Sequence, residues 1–325
     1  PRLATEAFDQ ALAGVEAVYA NTEEAAKARS LWYEEGSKTF KGEPYERVMV
    51  YYYRGLLYAM DGDYDNARAC FKGGILQDAF AEDEQFRCDF ALMLYLAGWA
   101  SQKMGDADGA KAFFDELKTF RPDFTPPSPS ETLLIVETGK SPRKLADGVG
   151  HYQMKLFRGK GFSDVAARVR TASGTSERLY PMEDIALQAM TRGGRPIDAI
   201  LEGKVAFQKR ASRTGSTLSS VGSTAMIGST LASGGAASGI GYAGAGLSLI
   251  GATSSYLAVK ARPRADTRYW DNLPDTVHIS GIPASQAAQG FVVEFLDASG
   301  AAVASTRVSA STSDSLIWVR NPEHY

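Results

Sequence analysis

YYYRGLLYAMDGDYDNARACFKGGILQDA, from Tyr51 to Ala79, reads as two helical runs around a single turn. Aromatic and small residues recur at helical spacing on both sides of Gly62-Asp63-Tyr64. Tyr51, Gly55 and Tyr58 mark the first helix; Ala67, Phe71 and Gly74 mark the second. Small residues at Gly55, Ala67 and Gly74 let two helices approach closely, and the aromatics fill the remaining space. Gly62 suits the left-handed backbone that ends a helix, because it has no Cβ to clash there.

A second copy follows at Met93–Asp123, MLYLAGWASQKMGDADGAKAFFDELKTFRPD. Gly98, Gly105-Asp106, Ala110, Phe114 and Pro122 take the same roles. This is the pattern of a tetratricopeptide repeat, a helix-turn-helix unit that stacks on its neighbours. The turn glycines Gly62 and Gly105 lie 43 residues apart. The usual period is about 34, so about nine extra residues, within LQDAFAEDEQFR, separate the units. Upstream, AFDQALAGVEAVYANTEEAAKARSLWYEEGS (residues 7–37) reads as a degenerate helix pair. Three units are the minimum that stack stably. Arrays of this kind hold a peptide or protein on a concave face.

Charge divides the chain. Residues 1–125 carry a net −8 and residues 126–325 a net +5, within a total of −3. No strongly basic face emerges, which argues against nucleic acid as a partner. The two cysteines, Cys70 and Cys88, are too few for a disulfide scaffold or a four-cysteine zinc site, and both read as small core residues within helices. The three histidines, His151, His278 and His324, lie in no metal-binding or catalytic motif. FRGKGF (Phe157–Phe162) lacks the hydroxyl residue of a phosphate-binding loop, and the DGDYD run at Asp61–Asp65 lacks the closing Glu of a calcium loop. The sequence therefore implies no catalytic residue, no cofactor and no metal, and an enzyme is not expected.

After the Pro/Ser-rich FRPDFTPPSPSE (residues 120–131) the character changes from helix to strand. TLLIVETGKSPRKL reads as a strand with a turn at Gly139-Lys140-Ser141-Pro142, and HYQMKLFRG as a second strand. ERLYPMEDIALQAMTRGGRPIDAILEGKVAFQKRAS reads as a short strand and two helices broken at Gly193-Gly194. Near the C-terminus, FVVEFLDASGAAVASTRVSASTSDSLIWVR gives three alternating runs with a hairpin turn at Asp297–Gly300. The expected class is α+β: helical repeats over 1–125, a mixed α/β region over 126–213, a glycine-rich helical hairpin over 214–260 and a small β unit over 261–325 that leans on the middle region.

Thr214–Val259 holds 46 residues without a charge, ten of them Gly. Its Leu, Ile and Tyr content is too high for a flexible linker. One helix of that length would span about 70 Å, so two helices of roughly 18–20 residues fit better. Gly222, Gly228, Gly235, Gly239 and Gly241 place small residues where helix backbones can meet, with a GxxxG at Gly235–Gly239. Arg210 and Arg213 precede the stretch; Lys260, Arg262, Arg264, Arg268 and Trp270 follow it. Basic and aromatic flanks around an uncharged hairpin suit a subunit contact or a membrane interface; the alternative is a hairpin buried within the protein, with Trp270 and Leu273 pinning the segment onto the β unit.

FKGEPYERVMVYYYRGLLYAMDGDYDNARACF, LLIVETGKSPRK, the glycine-rich stretch and ADTRYWDNLPDTVHI occur in that order. Together they resemble a family of uncharacterised bacterial tetratricopeptide-repeat proteins described as outer-membrane lipoproteins. The resemblance covers Phe40 to about Ile279. It implies a place in the cell envelope, on the periplasmic side of the outer membrane, and no particular reaction. The expectation is a non-enzymatic scaffold with protein partners that forms a homo-oligomer through repeats and hairpin and contacts a membrane. The alternative is a soluble adaptor that holds one peptide or protein in its repeat groove.

Overall fold

The protein is described from a computed structural model covering residues 2–16, 42–79, 90–147, 153–172, 174–191 and 266–324. Helices α1 (Arg2–Glu16), α2 (Pro44–Met60), α3 (Tyr64–Ala79), α4 (Ala91–Lys103) and α5 (Ala107–Phe120) form the first layer. Strands β1 (Glu131–Thr138), β2 (Arg143–Asp147), β3 (Gln153–Phe157), β4 (Ala166–Thr171), β5 (Ser176–Arg178) and β6 (Tyr180–Asp184) follow, then helix α6 (Ile185–Thr191). Strand β7 (Thr276–Pro283), helix α7 (Ala284–Gln289) and strands β8 (Phe291–Leu296), β9 (Ala302–Val308) and β10 (Leu316–Arg320) complete the described chain. The mixed α+β class read from the sequence is what the protein shows.

The strands form two four-stranded sheets and one ribbon. The central sheet has the order β10-β1-β7-β6, the outer sheet β5-β4-β8-β9, and β2-β3 stands apart. In the central sheet β1 runs parallel to β10 and antiparallel to β7. Sequence order had divided these strands between residues 126–213 and 261–325. In space both stretches contribute to both four-stranded sheets, alternating in the central one and lying as adjacent pairs in the outer one, because alternation along a strand fixes its faces but not its partner.

Three layers result. Leu133, Ile135, Val277, Ile279 and Met182 on one face of the central sheet join a core with the helices. Leu134, Val136, Ile282 and Val319 on its other face join a second core with Phe291, Val293 and Phe295 of the outer sheet. A strand covered on both faces reads as a continuous apolar run, which explains TLLIVE in β1. Helix α4 shows the same logic in helical form. Ala91 to Ser101 is buried on every side, so its sequence is apolar all round rather than striped. Fully burying a large apolar side chain contributes about 1.5–3 kcal/mol, and Leu92, Met93, Leu94, Leu96 and Trp99 are all at 0% exposure.

Helices α2–α3 and α4–α5 are the two units read from the sequence. Of the upstream helix pair, α1 is described; residues 17–41 lie outside the described residues, as do residues 80–89, which include most of the LQDAFAEDEQFR insertion, and the whole of the 214–260 stretch. Strand β4 (AARVRT) and the short α7 escaped the sequence reading. Both are brief, and β4 carries three buried positions among polar ones.

Candidate functional site: a helical repeat docked on a sheet

The two units share their turn chemistry. Gly62 and Gly105 have φ of +78° and +79°. At the first turn Asp63 N donates to Tyr58 O at 2.9 Å and Gly62 N to Ala59 O at 3.1 Å. At the second, Asp106 N donates to Ser101 O at 2.9 Å and Gly105 N to Gln102 O at 3.0 Å. This paired pattern satisfies carbonyls that the helix end leaves free. The aspartate after each glycine then starts the next helix: Asp63 accepts from Asn66 N at 3.2 Å and Asp106 from Gly109 N at 2.9 Å. Gly-Asp therefore stops one helix and caps the next. Arg68 of α3 reaches Asp106 at 2.8 Å and ties that helix to the second turn.

Within each unit a glycine faces an aromatic ring. Gly55 lies against Phe71 so tightly that no Cβ would fit, and a Cβ at Gly98 would sit 2.6 Å from the ring of Phe114. Ala67 and Ala110 are buried in the same core. Tyr51 packs over Gly73 of α3. Tyr58 is half-buried, with the Arg54 guanidinium 3.6 Å above its ring. Phe114 also meets Tyr95 at 6.1 Å and Phe124 at 5.9 Å, which folds the chain after α5 back onto the unit.

The first helix of each unit, α2 and α4, faces the central sheet. Buried carboxylates fasten them there. Glu137 of β1 has no exposure and accepts hydrogen bonds from Tyr52 and Tyr53 of α2, each at 3.0 Å. Burial raises its pKa; the Arg320 charge and the two hydroxyls work against that rise. Burial together with Glu137 pushes the Tyr52 hydroxyl well above its usual value. Glu183 of β6 accepts from Leu92 N at 3.1 Å and from Gln188 at 3.0 Å, so a sheet residue caps the start of α4. At the start of α2, Lys144 of β2 lies 2.9 Å from Glu46 and 3.2 Å from Glu43, all three buried. Glu46 also accepts from Glu43 N at 2.6 Å and Trp270 N at 2.7 Å.

Trp270 is half-buried in an aromatic group with Phe8 (6.0 Å) and Tyr53 (5.6 Å), so it joins α1, α2 and the segment before β7. Arg268 is bound by Asp266 at 2.7 Å. Both residues are thus engaged within the chain. Arg210, Arg213, Lys260, Arg262 and Arg264 lie outside the described residues, as do Gly222, Gly228, Gly235, Gly239 and Gly241. Sequence reasoning missed Glu137, Glu183 and Lys144. The one local signal was Glu43-Pro44-Tyr45-Glu46, a capping box that uses Glu in place of Ser or Thr.

The outer side of the second unit is open. A groove of about 500 Å³ runs between α5 and the proline segment, lined by Ala110, Phe114, Lys111, Lys118, Pro126 and Pro129 among others. Its rim is charged: Asp115 is paired with Lys111 and lies 4.0 Å from Lys118. Lys103 fixes the far wall by donating to Pro129 O at 2.9 Å and Glu131 O at 3.1 Å. Among the described residues no group of three or more His, Cys, Asp or Glu could hold a metal ion, and no helix is long and apolar enough to cross a membrane.

No curated protein and no solved structure matches the chain. Residues 93–123, the stretch that forms α4, its turn and α5, match the family model for a tetratricopeptide repeat. The chain thus carries a tetratricopeptide repeat, an element that points to protein–protein interaction.

Proposed function

We propose that this chain is a non-enzymatic interaction protein of the bacterial cell envelope, which engages a protein partner through the outer side of its second helical unit. The observation that carries this reading is the division of surfaces around α4 and α5. The face of α2 and α4 is closed by the chain's own sheet, through Tyr52–Glu137 and Leu92–Glu183. The groove between α5 and Pro126–Pro129 stays open, with an apolar floor and a charged rim. An apolar centre with a polar rim is the general anatomy of a protein-binding patch. The groove therefore favours an adaptor that binds one partner. The envelope location rests on the family resemblance, and self-assembly through the 214–260 hairpin remains a companion proposal that mass photometry of the purified chain would read directly.

Site-specific photo-crosslinking tests the reading. Benzoylphenylalanine in place of Lys111 or Asp115 should capture one discrete protein in cells. The same group at Ser299, on the exposed turn between β8 and β9, should not. Adducts at neither groove position, or equal adducts at all three, would sink the proposal.

A further inference from the structure

The register of the outer sheet gathers arginines that the sequence scatters. Arg168 of β4 lies opposite Arg178 of β5 on one side and Glu294 of β8 on the other; Arg170 lies opposite Ser176 and Val292. On β9, Ser305 lies opposite Glu294, and Arg307 opposite Val292. Directly paired residues share a face, and alternate positions along each strand return to it. Ala167, Val169, Phe291, Val293 and Phe295 fill the core between the two large sheets. The arginines therefore stand on the face turned away from the central sheet. Arg170, Arg178 and Arg307 are exposed, and Arg168 is half-buried.

Buried Glu294 holds two of these arginines, Arg168 at 2.5 Å and Arg170 at 3.1 Å. Among the described residues Arg178 and Arg307 have no acidic partner. Glu177 precedes Arg178 but takes the alternate position on β5, opposite Val169. Like charges directly opposite across a sheet are destabilising, and Arg168 with Arg178 is such a pair. A carboxylate laid across them removes the repulsion. Carboxylates crowd the opposite side of the molecule. The two Gly-Asp turns carry Asp61, Asp63, Asp65, Asp106 and Asp108, of which Asp61, Asp65 and Asp108 are exposed. Arg68 bridges Asp65 and Asp106, and Lys103 is bound to the carbonyls of Pro129 and Glu131. The helices cover one face of the central sheet and the outer sheet covers the other, so the aspartates and the arginines of one copy cannot meet.

We propose that the arginine face of the outer sheet binds the aspartate-bearing turns of a second copy of this chain. Guanidinium groups take carboxylates through paired hydrogen bonds, which gives the contact direction as well as charge. The charge of the whole chain follows the same division, net −8 over residues 1–125 and net +5 over residues 126–325. The two surfaces differ, so the contact is heterologous. Each copy presents its turns to one neighbour and its arginine face to the next, and the copies assemble head to tail into a ring or a filament. The inference rests on neither the α5 groove nor the 214–260 stretch.

The test is sedimentation velocity of the full chain over a range of concentrations, at low and high salt. The expected result is association that grows with concentration and weakens with salt. Arg178→Glu with Arg307→Glu should weaken it by about tenfold or more, and so should Asp61→Lys with Asp108→Lys on the other surface. Unchanged circular dichroism shows that a double variant is folded, and either folded variant carries the test alone. Mixed together, the two variants should form a one-to-one complex that grows no further, because each keeps the surface that the other has lost. A wild type that stays monomeric, association indifferent to salt, wild-type association by a folded variant, or no complex in the mixture overturns the proposal. So does a monomeric chain that floats with phosphatidylglycerol vesicles through Arg178 and Arg307, which would assign the face to lipid.

Discussion

Tyr52→Phe probes the joint between helices and sheet with one oxygen atom. The ring of Tyr52 is fully buried and would stay in place, since Phe keeps its shape. What goes is the hydroxyl that donates to Glu137 at 3.0 Å. A hydrogen bond to a charged group contributes about 1.5–3 kcal/mol, and one to a neutral group about 1 kcal/mol. The variant should therefore lose about 2 kcal/mol while Glu137 is ionised and about 1 kcal/mol while it is protonated. The pH dependence has a definite sign. Burial already raises the Glu137 pKa in the folded state. Removing a donor raises it further, so folding binds more protons than the unfolded chain and stability falls as pH rises. The gap between wild type and variant should accordingly widen from mildly acidic to mildly alkaline pH. Urea unfolding followed by circular dichroism reads both numbers. A difference of less than about 0.3 kcal/mol at both pH values would show that the helix–sheet clamp is not made.

Three further outcomes follow from the same geometry. Gly98→Ala drives a methyl into Phe114; overpacking costs about 1–3 kcal/mol, against a gain of about 1 kcal/mol in helix propensity. Net destabilisation in thermal unfolding, partly relieved by adding Phe114→Leu, is expected. Glu183→Ala strips the cap from α4 and removes the Gln188–Glu183 hydrogen bond, for a loss of about 1–2 kcal/mol by urea unfolding. His278 is buried in β7 with Nε2 2.9 Å from Thr138 Oγ1, and burial, with the Arg178 charge, pushes its pKa down to about 4. Its neutral form stabilises the fold above pH 6.5, and that contribution is lost as pH falls toward 4. Relative to His278→Gln, the wild type should lose about 3 kcal/mol across that window.

The helical units were legible because their signals are local. A glycine that must adopt positive φ, an aspartate that caps the next turn, and glycine opposite an aromatic ring all lie within one unit of sequence. Strand positions were legible where alternation or an apolar run was strong, as in β1 and β8. Pairing was not: β10 beside β1 joins residues almost two hundred positions apart, and nothing local encodes that choice. The polar joints were hidden for the same reason. Glu137 and Glu183 look like ordinary strand carboxylates until the helices that cover them are in place. The groove at α5 depends on Pro126 and Pro129 returning beside Phe114, a placement that the punctuation FTPPSPS marks only as a boundary.

The chain's own sheet closes the α2–α4 face through Tyr52–Glu137 and Leu92–Glu183. Hydrogen exchange on the intact chain, resolved by peptide under native conditions, tests it most directly. Amides of α2, α4 and β1 should exchange together, with protection close to the global unfolding free energy, while α5 opens more easily. Rapid exchange in α2 and α4 with β1 still protected would contradict this closure, because the helices would then come away from the sheet and expose their inner face.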